Sequence, residues 1–398
     1  MIWKTLASTL LIVILLLTGA SYYLYTKPRT DIQTQINEIP LYTSSMTEVD
    51  FEYEEIGKIQ KDPIEVDQLH ITGWIPDWDI ADGLESIDQR PDLFDSISPI
   101  WFFINPDGTL IKTTHTNGAN QIRFFKDRNI DLIPSIQEFD AENLSEVLND
   151  QNRLNNIIKE IVNETVSNNY AGIDLDIEST LLSDKHLFFE LLEKLSDQFK
   201  SKNKKLVFTA LPKWGDSLFY QGLPQTLRVQ DYKRIGELVD EFRIMTYEYS
   251  GSRSPKAGPI QPLKWQEKVI QYTINTGIPR EKIVLGVATY SYDWTDRPLL
   301  ERIDLKKATG LDLIDPTLDR GAALFNSGID KIKANYDYTE EFHEEWGEMV
   351  LRYNYQDKDR IVIYPNNRSI EMRKQLAADY GIKGIAYWRI GDETDLEL

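Results

Sequence analysis

The chain of 398 residues has no cysteine. That excludes a disulfide framework, a thiolate metal site and a cysteine nucleophile. Histidine is scarce as well. His70, His115, His186 and His343 are scattered, with no HExxH or HxH spacing, so neither a metal nor a cofactor is expected. Basic charge is in deficit: 44 Lys and Arg stand against 64 Asp and Glu, a formal net charge of −20. Nucleic acid and anionic lipid headgroups are therefore not expected partners, because binding phosphates takes a basic patch. No wall-binding repeat is visible, and nothing in the sequence speaks to oligomeric state. The remaining composition, 41% hydrophobic and 27% charged, is ordinary for a globular protein. The length suits one large α/β barrel with additions, or two domains.

Long hydrophobic runs are also missing, with one exception at the start. Thr5 to Tyr25 (TLASTLLIVILLLTGASYYLY) carries no charge. At about 1.5 Å rise per residue such a run is long enough to span a bilayer. Tyr22, Tyr23 and Tyr25 would lie in the interfacial belt, followed by Lys27 and Arg29. Residues 1–25 read as a signal anchor or a cleaved signal peptide. Thr18-Gly19-Ala20 offers a cleavage site, but the apolar run continues past it, which favours the anchor. Either reading exports the rest of the chain, tethered to the membrane through the N-terminal helix or secreted. Residues 26–66 are polar and acidic, as in Asp50-Phe51-Glu52-Tyr53-Glu54-Glu55, and read as a spacer before a domain over 67–398.

From His70 onward, short β-type runs alternate with amphipathic stretches, which predicts a parallel α/β architecture. The expected strands are Leu69–Trp74, Ser98–Ile104, Ile130–Ile136, Ala171–Ile177, Lys205–Leu211, Glu241–Tyr247, Lys282–Thr289 and Lys383–Trp388. The clear helices are Leu144–Ser167, Lys185–Ser201, Asp231–Val239, Trp265–Thr276 and Ile370–Tyr380. This order predicts a TIM (β/α)8 barrel, with its active site at the C-terminal strand ends. Two features complicate it. The connection between strands seven and eight, about 291–359, is long and rich in aromatics and acids, which predicts a small inserted lobe. The chain also ends at Leu398, too soon for a normal eighth helix, and residues around Phe51–Ile59 are expected to cover that seam.

One stretch organises the rest. Ala171-Gly172-Ile173-Asp174-Leu175-Asp176-Ile177-Glu178 alternates carboxylates with large aliphatics. Successive side chains of a strand face opposite ways, so the three acids share one face. Like charges this close raise each other's pKa and cost stability, which marks a working surface. A D-x-D-x-E run can also be a calcium loop, but such loops need a turn with a glycine. The interleaved Ile-Leu-Ile reads as strand.

The same stretch resembles the D-G-x-D-x-D-x-E signature of glycoside hydrolase family 18. That family holds chitinases, endo-β-N-acetylglucosaminidases, spore-cortex hydrolases and some inactive, lectin-like members. Supporting matches follow in order. Ile244-Met245-Thr246-Tyr247-Glu248 resembles the strand-six M-x-Y-D element. Lys282–Tyr290, followed by Tyr292-Asp293-Trp294, resembles strand seven, and Gly384–Arg389 resembles strand eight with its tryptophan. The local wording of Ser98-Pro99, Pro106-Asp107-Gly108, Gly258-Pro259-Ile260 and Tyr387-Trp388-Arg389 looks most like the spore-germination branch. The resemblance covers about Leu69–Glu393. Three positions depart from it. Ala171 stands where the first acid of the signature would support the aspartates from behind. Ser135-Ile136-Gln137-Glu138 replaces an S-x-G-G element, and Glu248 replaces Asp or Asn.

The resemblance implies an unusual chemistry, in which the substrate supplies its own nucleophile. Glu178 would protonate the glycosidic oxygen. Asp176 would hold the acetamido N–H, and Tyr247 would hold the acetamido oxygen. Asp174 would share a proton with Asp176, and a neighbouring acid would help keep Glu178 protonated. Trp388 would floor the subsite. Trp74, Met245, Glu248, Tyr290 and Trp294 are further candidate substrate contacts, with Trp78, Trp101, Trp214, Asp293 and Arg389 near the strand ends. Large aromatics also serve as core, so each of these has a packing alternative. The implied substrate is a β-linked N-acetylglucosamine polysaccharide: chitin, peptidoglycan or spore cortex. The alternative is a lectin-like barrel that binds without cleaving.

Overall fold

Runs of β-branched and aliphatic residues, each followed by an apolar-faced helix, bury both sides of a parallel sheet and force it to close. The computed structural model describes residues 59–113, 118–215, 225–252, 254, 257–295, 322–391, 393 and 396–398. The expected membrane segment, residues 26–58 of the spacer and residues 296–321 of the inserted lobe lie outside the described residues. Among the described residues no helix is long and apolar enough to cross a membrane.

The strands in chain order are β1 (His70–Ile75), β2 (Ser96–Ile104), β3 (Leu110–Lys112), β4 (Asp131–Leu132), β5 (Ser135–Glu138), β6 (Gly172–Ile177), β7 (Lys205–Ala210), β8 (Glu241–Ile244), β9 (Ile283–Ala288), β10 (Ser291–Thr295), β11 (Ala322–Leu324), β12 (Tyr338–His343), β13 (Glu348–Tyr355), β14 (Lys358–Tyr364) and β15 (Gly384–Trp388). Eight of them form a closed parallel barrel in the order β1-β15-β9-β8-β7-β6-β5-β2, and β1 pairs back onto β2. This is the (β/α)8 architecture. The third barrel strand is broken, because Pro134 between β4 and β5 has no N–H to give the ladder.

The helices are α1 (Ile80–Gln89), α2 (Gly118–Asp127), α3 (Ala141–Leu148), α4 (Gln151–Ser167), α5 (Lys185–Ser201), α6 (Gln225–Val229), α7 (Tyr232–Leu238), α8 (Leu263–Asn275), α9 (Asn326–Asn335) and α10 (Asn367–Asp379). Ile173, Leu175 and Ile177 on the outer face of β6 pack into the main core with Ile157, Ile161, Phe188 and Leu192 of the surrounding helices. The single helix expected over Leu144–Ser167 is two helices. Asp140 caps α3 through the N–H groups of Glu142 and Asn143, and Asp150 caps α4 through those of Asn152 and Arg153. An Asp that captures those amides starts a new helix at its own position.

The inserted lobe is an antiparallel sheet in the order β11-β10-β14-β13-β12, reaching Tyr364 rather than 359. Gln356 and Asp357, both at positive φ (52° and 60°), make the tight turn between β13 and β14. One face of the sheet packs beneath α9 through Leu351, Val362, Ile329 and Ile332. The other places Val350, Ile361, Ile363 and Trp294 against Met245, Tyr247 and Tyr290 of the barrel mouth.

Among the described residues no helix follows β15, and the segment after that strand packs over the seam. Ile390, Leu396 and Leu398 enter the main core. The Glu393 carboxylate accepts from Ser86 of α1 and from Arg90. The 397 amide donates to Asn367 at 2.9 Å. The segment ahead of β1 lies against α10, where Ile64 N–H donates to the Ala378 carbonyl at 3.0 Å and Lys61 pairs with Asp379 at 2.6 Å. Of the residues expected to cover the seam, Ile59 packs against the main core, and Phe51–Lys58 lie outside the described residues.

Candidate active site

Strand parity turns Asp174 and Asp176 of β6 into the barrel, and Glu178 follows one residue past the strand end, at the C-terminal mouth. The three acids sit in different environments. Asp174 is fully buried and surrounded by donors. Its Oδ2 accepts from Trp74 Nε1 at 2.8 Å and Ser135 Oγ at 2.7 Å, and its Oδ1 accepts from Thr209 Oγ1 at 2.8 Å. The guanidinium of Arg243 lies 3.7 Å away. Asp176 accepts from Gln137 Nε2 at 2.8 Å, while its buried Oδ1 has no hydrogen-bond partner.

No hydrogen bond joins Asp174 to Asp176, contrary to the expected shared proton. The physical reason is occupancy: β1, β5 and β7 already satisfy both oxygens of Asp174. Ala171 also weighs less than expected. It shares the parity of Ile173, so an acid there would face away from the aspartates. The Asp174 network closes without it.

Burial, then the charges of Glu178 and Asp174, push the Asp176 carboxyl well above the usual range. Burial and the charge of Glu248 push Glu178 up to about 7. The neighbour that acts on Glu178 is thus Glu248, on the next turn of chain beyond β8. Glu248 sits in the left-handed region at φ 60°. It accepts from Tyr290 Oη and, at 2.6 Å, from Tyr292 Oη. Burial raises its pKa and the two phenols oppose that.

Tyr247, in the segment just past the end of β8, closes the mouth. Burial and the surrounding acids hold its phenol far above its ordinary pKa, so it is a donor at any working pH. Gly286 makes room for it. A Cβ at that position would come within 2.4 Å of the Ile244 carbonyl and 3.0 Å of the Tyr247 ring. Trp388 at the end of β15 is half-buried and meets Trp74 edge to face, with centroids 6.4 Å apart.

The remaining candidates separate by burial. Trp74 is enclosed and spends its N–H on Asp174, so it supports the acids rather than facing a ligand. Tyr290 is tied to Glu248, and Met245 packs beside Tyr247. Trp294 is 1% exposed, buried between the lobe sheet and the barrel mouth, which removes it from the contact surface. Asp293 is bound to Arg360 at 2.9 Å and to Tyr353 at 2.7 Å within the lobe, not in the cleft. Trp101 is buried against Tyr170, and Trp214 packs on Trp265. Trp78, in the turn after β1, is 62% exposed and free to meet a ligand. Arg389 pairs with Asp79 and lies over Phe325.

Ser135, Gln137, Thr209, Arg243 and Tyr292 also border the acids, although none of them was among the expected catalytic or contact residues. The register explains the first three: Ser135 stands opposite Asp174, Gln137 opposite Asp176, and Thr209 opposite Asp176 on the other side. The alternation of Ser135-Ile136-Gln137 was the available signal.

The family model described as "Glycosyl hydrolases family 18" matches residues 80–393. The chain belongs to glycosyl hydrolase family 18. It is 24% identical to the sporulation-specific glycosylase YdhD of Bacillus subtilis, over 74% of this chain and 65% of that protein. It is 26% identical to the cortical fragment-lytic enzyme of Bacillus subtilis, over 72% of this chain and 62% of that one. The chain thus spans just under two thirds of the length of these relatives. The fold superposes on the Bacillus cereus spore cortex-lytic enzyme SleL with a TM-score of 0.71 at 20% identity, covering 82% of this chain and 72% of that one. It superposes on a Chromobacterium violaceum chitinase with a TM-score of 0.69 at 18% identity, covering 81% and 95%. In this family 18 barrel the signature acids, the strand-six tyrosine and the strand-eight tryptophan all converge on one mouth.

Proposed function

We propose that this family 18 protein is an exported glycosidase that cleaves β-linked N-acetylglucosamine polymers with retention, using the substrate's acetamido group as nucleophile. The supporting observation is geometric: Glu178 stands at the end of β6 on the same mouth as the open Oδ1 of Asp176 and the Tyr247 phenol, where burial and Glu248 push its carboxyl up to about 7. Glu178 gives its proton to the glycosidic oxygen as the bond breaks. The acetamido oxygen attacks the anomeric carbon from the opposite face. Asp176 accepts the acetamido N–H through its unoccupied oxygen, and Tyr247 donates to the acetamido oxygen. Glu178, now a carboxylate, takes a proton from the water that opens the oxazolinium ring. A general acid works best with a pKa near the operating pH, which burial and Glu248 supply. The similarity to cortical fragment-lytic enzymes makes cortex peptidoglycan the preferred substrate, ahead of chitin. The apolar run over 5–25 supports export with a membrane tether.

The alternative is a lectin-like barrel that binds the same glycan without cleaving it. The hydrogen bonds around Asp174 close without an acid at position 171, which favours cleavage over that alternative. The test is to incubate the purified protein, beside Glu178→Gln, with chitooligosaccharides and with spore-cortex peptidoglycan. Reducing ends should appear with the parent chain alone. Equal release by both would overturn the Glu178 assignment, and binding without release by either would establish the lectin reading.

A further inference from the structure

Below the acids, the barrel carries a second charged cluster that the chemistry above does not use. Arg243 and Glu241 of β8 are both inside the barrel and essentially inaccessible. Arg243 Nε donates to Glu241 at 2.6 Å, and Arg243 Nη1 donates to Ser98 Oγ at 2.7 Å. The same Nη1 lies 3.7 Å from Asp174, and the guanidinium sits 5.4 Å from the centre of the Trp74 ring. Nη2 has no hydrogen-bond partner. Lys383 and His70 complete the cluster on the far side of Glu241, with His70 3.4 Å from Asp95. Above Asp174 lie Asp176, Glu178, Glu248 and Tyr247.

We propose that Arg243 is a positioning residue for the reaction: a fixed internal cation under Asp174, held by Glu241, whose charge limits how many protons the carboxylates above it hold and so keeps the open oxygen of Asp176 free for the substrate. The geometry matches. Every group that touches Asp174 is a donor, Asp176 is turned to Gln137 rather than to Asp174, and Asp176 keeps one oxygen open. Close carboxylates behave as a coupled set with macroscopic titrations, so the charge beneath them sets how many protons the set holds. A second proton on the set would occupy the oxygen that must accept the acetamido N–H.

The inference rests on the proposed reaction, and its signs are opposite for the two partners. Removing the cation makes the extra proton easier to bind, so Arg243→Met should move the acid limb of kcat/KM up by about one pH unit, with kcat reduced and KM little changed. Arg243→Lys keeps the charge and should restore the limb. Glu241→Gln leaves the cation less compensated and should move the limb down. The measurement is the pH profile of 4-methylumbelliferyl chitobioside hydrolysis by the full-length protein, with 13C-carboxylate NMR titration of labelled aspartate alongside. Opposite shifts in Arg243→Met and Glu241→Gln support the proposal. A uniform loss of rate with unmoved limbs overturns it. If Arg243→Met does not fold, the Glu241→Gln shift and the Lys variant decide. A parent protein that cleaves nothing refutes the reaction instead, and the aspartate titration in the same variants then tests Arg243 on its own.

Discussion

Glu178 and Glu241 are carboxylates of the same barrel, and the two ends of its interior move them in opposite directions. Glu178, at the mouth, is pushed up to about 7 by burial and by Glu248. Glu241, at the floor, would also be pushed up by burial, but Arg243, Lys383 and His70 overcome that and bring it to about 2. Burial is common to both, so the difference lies in the sign of the neighbouring charge. At the floor, cations make an ionised group part of the structure. At the mouth, anions and an unfilled oxygen keep a proton available and leave the site less stable than it could be. Chemistry is concentrated where the barrel withholds compensation.

The largest effect that sharpens this contrast is on turnover. Glu178→Gln removes the proton donor and should lower kcat by roughly 10²-fold to 10⁴-fold, with chitooligosaccharide affinity retained. A variant that keeps a tenth of parental kcat would place the working acid elsewhere.

Stability should separate the two glutamates next. Glu241 has a folded pKa near 2, below its unfolded value, so its contribution is present above the unfolded pKa and is lost as pH falls through the folded one. Glu241→Gln should therefore cost roughly 2–3 kcal/mol in urea denaturation at pH 7, a difference that shrinks toward pH 2. Glu178 has a raised folded pKa, so its penalty is absent below the unfolded value and complete once pH has risen through 7. Glu178→Gln should be neutral at pH 4 and stabilising by about 1–3 kcal/mol at pH 8. Equal responses at the two pH values would erase the distinction between floor and mouth.

The paired tryptophans extend the contrast to binding. Trp388 presents a partly exposed ring and Trp74 an enclosed one that serves Asp174. Trp388→Ala should raise KM by about tenfold, the loss of one aromatic platform. Trp74→Phe keeps the packing and removes the N–H, so it should lower kcat with little change in KM. The reverse pattern would exchange their roles.

Alternation in 171–178 and the order of strands made the barrel and its acidic face legible, because the period of a strand is written directly in the residues. The split at Asp150 was legible in principle through capping chemistry, but the apolar stripe running on both sides of it masked the break. Arg243 could not be placed from sequence: its value lies in standing beneath Asp174 across the barrel, a register that only closure creates. Trp294 shows the converse. Its neighbours Tyr292 and Asp293 gave it the look of a cleft aromatic, yet the lobe sheet folds over and buries it.

The smallest effect tests how the lobe reaches the acid. Tyr292, on β10, donates to Glu248 at 2.6 Å, and a donor to a carboxylate favours its charged form. Tyr292→Phe removes that donor, so Glu248 should hold its proton to higher pH. Less of its charge then faces Glu178, and the Glu178 pKa should fall. The basic limb of kcat should consequently move down by a few tenths of a pH unit, with Tyr290 still holding the other share. An upward shift would mean that Glu248 acts on Glu178 by something other than its charge, and an unmoved limb would cut the lobe out of the catalytic proton inventory.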